Sequence, residues 1–244
     1  MKQCYDRTGR WAAVGALFLT TLSLRAADIT WVNSSGGSWA TATNWSPSQV
    51  PGPTDKAILA LGATVSVDAD TTVGSLDLSS GTLTGAGTLT VKGTLDWTGG
   101  QMQGAGATTV AAGGSLVLSG PSGRTLSQRT INNGGTLTWS GGNVTSGYGA
   151  TINNQAGGVM DLQSDGTWNA DLGGARPVLN NAGTLKKTGG SGTSTFWSSV
   201  NNDGVLEVQS GTVSLNTTAD LHGSLKASAG ATINFGGETI TVET

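Results

Sequence analysis

The chain has 244 residues, enough to bury a core, and 40 of them are glycine. Only 11% are charged and 5% aromatic, a composition that fits neither an ordinary α/β enzyme nor a charged disordered tail. The formal charge of −3 comes without a basic cluster, which argues against nucleic acid or anionic membrane surfaces as partners.

Residues 1–27 read as a secretory signal peptide. Lys2, Arg7 and Arg10 precede an apolar run from Trp11 to Leu24, and Ala26 and Ala27 offer a small-residue cleavage site. The alternative is an uncleaved anchor, but the run falls short of the ~20 residues that cross a bilayer comfortably. Cleavage removes Lys2, Arg7, Arg10 and Arg25 with one acid, Asp6, so the remainder is more acidic than the whole. Cys4, the single cysteine, leaves with it, and with it any disulfide or Cys-based metal site. The expected location is outside the cytoplasm: the cell surface, the outer membrane or the medium.

Residues 28–62 break the pattern that follows. They carry Trp31, Trp39 and Trp45, then Pro51 and Pro53 before the apolar Ile58-Leu59. They are expected to form an N-terminal cap, because an open stack of strands exposes unpaired edges.

Residues 63–244 repeat themselves. Gly93-Thr94-Leu95-Asp96-Trp97-Thr98-Gly99-Gly100 returns as Gly135-Thr136-Leu137-Thr138-Trp139-Ser140-Gly141-Gly142, 42 residues on. Half that period separates asparagine pairs: Asn132-Asn133, Asn153-Asn154, Asn180-Asn181 and Asn201-Asn202 lie 21, 27 and 21 residues apart. Each pair is followed by glycine and a short alternating segment, such as Gly183-Thr184-Leu185 or Gly204-Val205-Leu206-Glu207-Val208. Alternation sends Leu and Val to one side and Thr, Ser, Asp or Lys to the other. So short a strand buries its apolar side only when stacked on copies of itself, ~4.8 Å apart.

The fold expected is all-β: a single right-handed parallel β-helix, or β-solenoid, with coils of about 21 residues and an N-terminal cap. The hand follows from the general preference of parallel crossovers. About eight coils would make a rod on the order of 40 Å long. Asparagines at one corner of successive coils either form a hydrogen-bonded ladder or serve simply as turn residues. Glu238 to Val242 reads as a further strand, offering an edge on which more repeats or a partner would stack.

The pattern Trp31, Gly37-Ser38-Trp39, Asn44-Trp45, Pro51 and Asp55, followed by Gly-Thr-Leu coils, resembles the start of exported bacterial β-solenoid proteins. These include autotransporter-type passengers and filamentous-haemagglutinin-like adhesins. The coils Asn180 to Leu185 and Asn201 to Leu206 resemble the repeats of large surface proteins of that kind. The resemblance implies a β-helix at the cell surface with an adhesive or matrix role, and no catalytic residues to carry over. Autotransporters add a membrane β-barrel after the passenger, and the 244 residues contain no such segment.

No catalytic, cofactor-binding or metal site is expected. His222 is the single histidine, which rules out histidine clusters, and its place beside Gly223 reads as an exposed turn rather than the base of a Ser-His triad. Asp161, Asp165, Asp171, Arg176, Lys186 and Lys187 are the nearest approach to the carboxylate and basic pairs of polysaccharide-cleaving β-helices. They read first as solvated surface charges, with Asp161 and Lys186 on one face a coil apart. Gly189-Gly190-Ser191-Gly192 lacks the aspartate of a calcium-binding β-roll turn. Gly85-Ala86-Gly87 and Gly104-Ala105-Gly106 lead into no helix, so they are not phosphate loops.

Trp97 and Trp139 share the inward side with Leu95 and Leu137, and belong to the core. Trp168, Trp197 and Tyr148 fall near loops, where packing is the first reading and a sugar-stacking surface the second. Threonines of Thr82-Leu83-Thr84 and Thr88-Leu89-Thr90 suit exposed strand faces better than an ice-binding array, for which their spacing is too irregular. The function expected is therefore a non-enzymatic, exported structural or adhesin-type repeat protein whose partners are surface glycans or surface proteins. The alternative is a carbohydrate-active β-helix that binds or cleaves a glycan.

Overall fold

A computed structural model describes residues 26–236 and 240–242. The predicted leader lies outside them except for Ala26 and Ala27. The described residues form 30 strands and one short 3₁₀ turn, Ala42–Asn44. The strands make three sheets of 11, 10 and 9 strands, in which every third strand of the chain is a neighbour. That order is the signature of a solenoid: the chain visits each sheet once per coil and makes about nine turns. No helix among the described residues is long and apolar enough to cross a membrane.

Alternation sets the cross-section. In the first sheet, Leu76, Leu95, Leu116, Leu137, Met160, Leu185 and Leu206 are successive register partners and are all at most 1% exposed. Each inward Leu contributes about 1.5–3 kcal/mol by leaving water, and does so only because the coils on either side complete its surroundings. Most outward positions of the same strands stay half-exposed. They carry Thr, Ser and charged residues, including the alternating column Asp161, Lys186, Glu207 and Lys226.

Glycine marks the corners where coils approach most closely. At Gly106 an added Cβ would run into the Gly87 carbonyl of the coil before, so no larger side chain fits there. The glycine-rich stretches at 85–87 and 104–106 thus stack on one another instead of cradling a phosphate. Their carbonyls also receive Arg129, a fully buried side chain that donates to Ala107 O at 2.6 Å and to Thr108 Oγ1 at 2.8 Å. Gly85 O and Gly87 O lie 3.4 and 3.5 Å from its terminal nitrogens. Burial lowers the Arg129 pKa to about 10, still high enough to keep it charged at neutral pH. Arg124 is buried likewise, donating to the carbonyls of Trp97, Ser119 and Gly141.

Residues 28–62 both enter the stack and close it. Asp28–Trp31 pairs in parallel with Lys56–Leu59, and Gly37–Ser38 pairs with Thr64–Ser66, so the coils begin within the segment expected to be a cap. Trp45–Ser46 then returns antiparallel along the outer edge of Asp28–Trp31, so that edge is already occupied. Trp31, Trp39 and Trp45 bury their rings edge-to-face, with centroids 5.0 and 4.8 Å apart. At the other end Ile240–Val242 pairs with Ala219–Leu221, the strand the sequence led one to expect.

The asparagine pairs form two ladders. Asn133, Asn154, Asn181 and Asn202 point inward, are at most 1% exposed, and donate each to the next at 2.8, 2.7 and 2.6 Å. Asn132, Asn153, Asn180 and Asn201 form a second row on the outer face. Its bonds run the other way, each donating to the coil before at 2.9, 2.8 and 2.7 Å.

Candidate functional site

Within this regular stack one corner departs from the rest. The chain passes from the second sheet to the third through short links such as Gln128-Arg129 and Trp197-Ser198. In one coil the link is instead residues 170–177, between strands Thr167–Asn169 and Val178–Asn181. This loop accounts for the 27-residue step between Asn154 and Asn181, against 21 between the neighbouring pairs.

Tyr148, at the same corner one coil earlier, supports the loop. Its backbone N–H donates to Gly173 O at 2.8 Å, and that of Gly149 donates to Ala175 O at 2.7 Å. Tyr148 lies at φ 52°, a left-handed conformation adopted by only one other non-glycine residue among those described, Gln128. Gly174 sits directly against the tyrosine ring: a Cβ there would come within 2.6 Å of Tyr148 Cδ1, at a φ of 69° that itself favours glycine. Both constraints fix the loop's path against the coil before it.

Between this loop and the next coil lies a cleft of about 290 Å³, walled by Asp171, Arg176 and Trp197 with Ala170 and residues 173–175. Trp197 is reached by strict alternation. Phe196 points inward beside Trp168, centroids 6.0 Å apart, so the following residue points out. Its N–H donates to Trp168 O at 2.9 Å, which fixes the backbone but leaves the indole in solvent. Trp197 is 44% exposed, while Trp31, Trp39, Trp45, Trp97, Trp139 and Trp168 are at most 3% exposed. Asp171 and Arg176 are exposed, and neither makes a side-chain hydrogen bond or ion pair with another described residue. The cleft therefore offers an apolar ring face, an indole N–H, a guanidinium and a carboxylate, all unengaged.

The remaining sequence candidates fall elsewhere. Asp161 and Lys186 are register partners on the first sheet, with Nζ and Oδ2 4.0 Å apart. Asp161 is only 7% exposed, and its two oxygens accept from Thr188 Oγ1 at 2.7 Å and Gln163 Nε2 at 3.0 Å. A carboxylate so engaged is poorly placed to move a proton. Lys187 is not the surface charge the sequence suggested: it is fully buried, in register with Leu162 and Val208. Its ammonium is satisfied by Asp165 Oδ1 at 2.7 Å, Gly189 O at 2.8 Å and Ser194 Oγ at 3.1 Å. The Lys187 hydrogen bond holds Asp165 below its ordinary carboxylate pKa, against the opposing effect of burial and with help from the Gly192 N–H.

His222 is exposed, as expected of a turn, but not isolated. Its Nδ1 lies 3.2 Å from Asp203 Oδ1 and its Nε2 3.7 Å from Asp220 Oδ1. Among the described residues no three His, Cys, Asp or Glu side chains converge as a metal site would require. Of the three aromatics near loops, Trp168 belongs to the core, at 1% exposure, while Trp197 and Tyr148 stand at the surface. Asp171 and Arg176 were legible only as surface charges. The 27-residue step between Asn154 and Asn181 is the sequence signal for the loop that carries them.

No protein-family model, curated protein or solved structure matches the chain.

Proposed function

We propose that the chain is a non-enzymatic, exported structural element of adhesin type: a rigid rod that presents binding surfaces outside the cell. The observation that supports this best is the unbroken register of three parallel sheets over about nine turns. Such a stack propagates rigidity along one axis and offers long, repetitive, polar faces. The core is built from aliphatic and aromatic side chains, and its buried asparagines hydrogen-bond to one another as part of the stack. The leader-like residues 1–27 and the resemblance to surface β-solenoids support export.

Two measurements test this reading. Residues 1–27 fused ahead of a reporter active only outside the cytoplasm should direct its export; retention in the cytoplasm would refute the exported location. The chain without residues 1–27, coated on beads, should retain them on cell or matrix surfaces without altering soluble polysaccharides. Steady release of reducing ends or unsaturated sugars would replace the reading with the carbohydrate-cleaving alternative.

A further inference from the structure

We propose that the cleft bounded by Trp197, Arg176 and Asp171 is a binding site for a neutral pyranose glycan, held by ring stacking and a donor–acceptor pair. This inference rests on the adhesive reading above and names the surface chemistry that the rod recognises.

The first argument is the exposure of Trp197. In this molecule tryptophan is a core residue: the six others described are buried, and the corner could be turned by a small or polar side chain. Leaving a flat apolar face in water forgoes the gain from burying it, so its place at the mouth of a cleft points to a ligand that covers it. The axial C–H faces of a pyranose ring are apolar and flat enough to lie on an indole, while its hydroxyls radiate in the plane of the ring.

The second argument is the polar pair. A ring stacked on Trp197 places its edge toward the loop, where Arg176 supplies several N–H donors in a planar fork and Asp171 two acceptor oxygens. A sugar hydroxyl donates one hydrogen bond and accepts others, so a vicinal diol satisfies a guanidinium and a carboxylate together. An apolar ligand would leave both unmatched, and a simple anion would meet Asp171. The chain's formal charge of −3 adds to that discrimination. At about 290 Å³ the cleft lies at the small end of ligand sites and accepts about one or two rings of a longer chain.

The third argument is the scaffold. The loop is an insertion that the coil does not need, yet it is pinned by two backbone hydrogen bonds to residues 148 and 149 and fitted to the Tyr148 ring. Pre-positioning of this kind lowers the ordering cost of binding.

The test uses the chain without residues 1–27, titrated with cellotetraose and mannotetraose as neutral probes and tetragalacturonate as the acidic one. Calorimetry and tryptophan fluorescence report binding. At least one neutral probe should bind, with quenching or a blue shift of the exposed indole. Trp197→Ala should weaken it roughly tenfold to thirtyfold, as for a stacked aromatic anchor, and Arg176→Ala several-fold. Trp197 lies outside the core, so an unchanged thermal midpoint certifies the variant's fold.

No neutral binding, binding indifferent to both variants, or preference for tetragalacturonate would overturn the proposal. Bead retention separates it from the broader reading. If the wild type adheres and Trp197→Ala adheres equally, or if protease but not periodate treatment of the target abolishes adhesion, the glycan site fails and the adhesive rod stands. If the wild type does not adhere at all, the adhesive reading itself fails.

Discussion

The two asparagine rows offer a controlled contrast, since neighbouring residues of the same type lie on opposite sides of one sheet. The inner row, from Asn133 to Asn202, is buried; the outer row, from Asn132 to Asn201, is half-exposed or exposed. Their bonds are of nearly equal length, so geometry alone does not separate them. What separates them is the alternative open to each amide when its partner is lost. An outer asparagine turns to water. An inner one has none, and its second amide proton is already committed to a backbone carbonyl of the following coil: Asn133 to Val159 O at 2.9 Å, Asn154 to Thr184 O at 3.1 Å, Asn181 to Val205 O at 3.0 Å. Those carbonyls fix which way each inner amide faces, and so why the inner row donates forward. With the outer row donating backward, the amide dipoles of the two rows oppose.

The sharpest way to break this contrast is to interrupt each row at the same coil. Asn154→Leu leaves the Asn181 Oδ1 acceptor and one Asn133 donor without partners inside the core, and should cost about 3 kcal/mol. Asn153→Leu strips the same two amide-to-amide bonds from the outer row and should cost about 0.5 kcal/mol or less. Urea denaturation of both variants decides the matter; equal losses would mean that burial is not what gives the inner ladder its worth.

A smaller effect distinguishes amides, which do not titrate, from the buried Lys187 ammonium, which depends on a carboxylate. Because the folded pKa of Asp165 is depressed, its contribution is complete above about pH 5. It is lost as the pH falls below about 4 and through the folded value. Asp165 is 39% exposed, so the effect is screened and should amount to about 1 kcal/mol. Stability measured from pH 7 to pH 3 should fall more steeply in the wild type than in Asp165→Asn, which is weaker at pH 7 and converges with the wild type in acid. Parallel curves would show that Ser194 and the carbonyls around Lys187 suffice without the carboxylate.

How much of this was legible in the sequence depends on the range of the forces involved. Alternation around Leu95, Leu116 and Leu137 and the spacing of the asparagine pairs are local and periodic, and they carry the coil, the core and the ladder. Lys187 was misleading because its own strand looks like any other with a lysine at the end. Its burial depends on Asp165 and Ser194, which only the stacked coils bring within reach. The segment 28–62 hid its strands for a related reason: Gly37–Ser38 and Trp45–Ser46 are two residues long and form only against the edges of Thr64–Ser66 and Asp28–Trp31. Trp168 and Trp197 looked alike in sequence, each beside a loop. Register with Phe196 sends one inward and alternation sends the other out, so their difference is a property of the stack.

A last effect concerns where the inner ladder starts. Asn133 Oδ1 is buried with no hydrogen-bond partner among the described residues, because the coil before it presents Val110 at the same register position. Every later member of the row receives a bond there, so Asn133 bears the desolvation cost of one unmatched acceptor. Val110→Asn would place an amide in line with the row, its Nδ2 aimed forward as in the others. Taken alone the substitution also gives up apolar packing, so its net effect hides the bond of interest. A double-mutant cycle isolates it. Val110→Asn should be less costly with Asn133 present than in an Asn133→Leu background, by about 1 kcal/mol. A coupling of zero would mean that the ladder's order comes from the backbone carbonyls alone, with the amide-to-amide bonds only following.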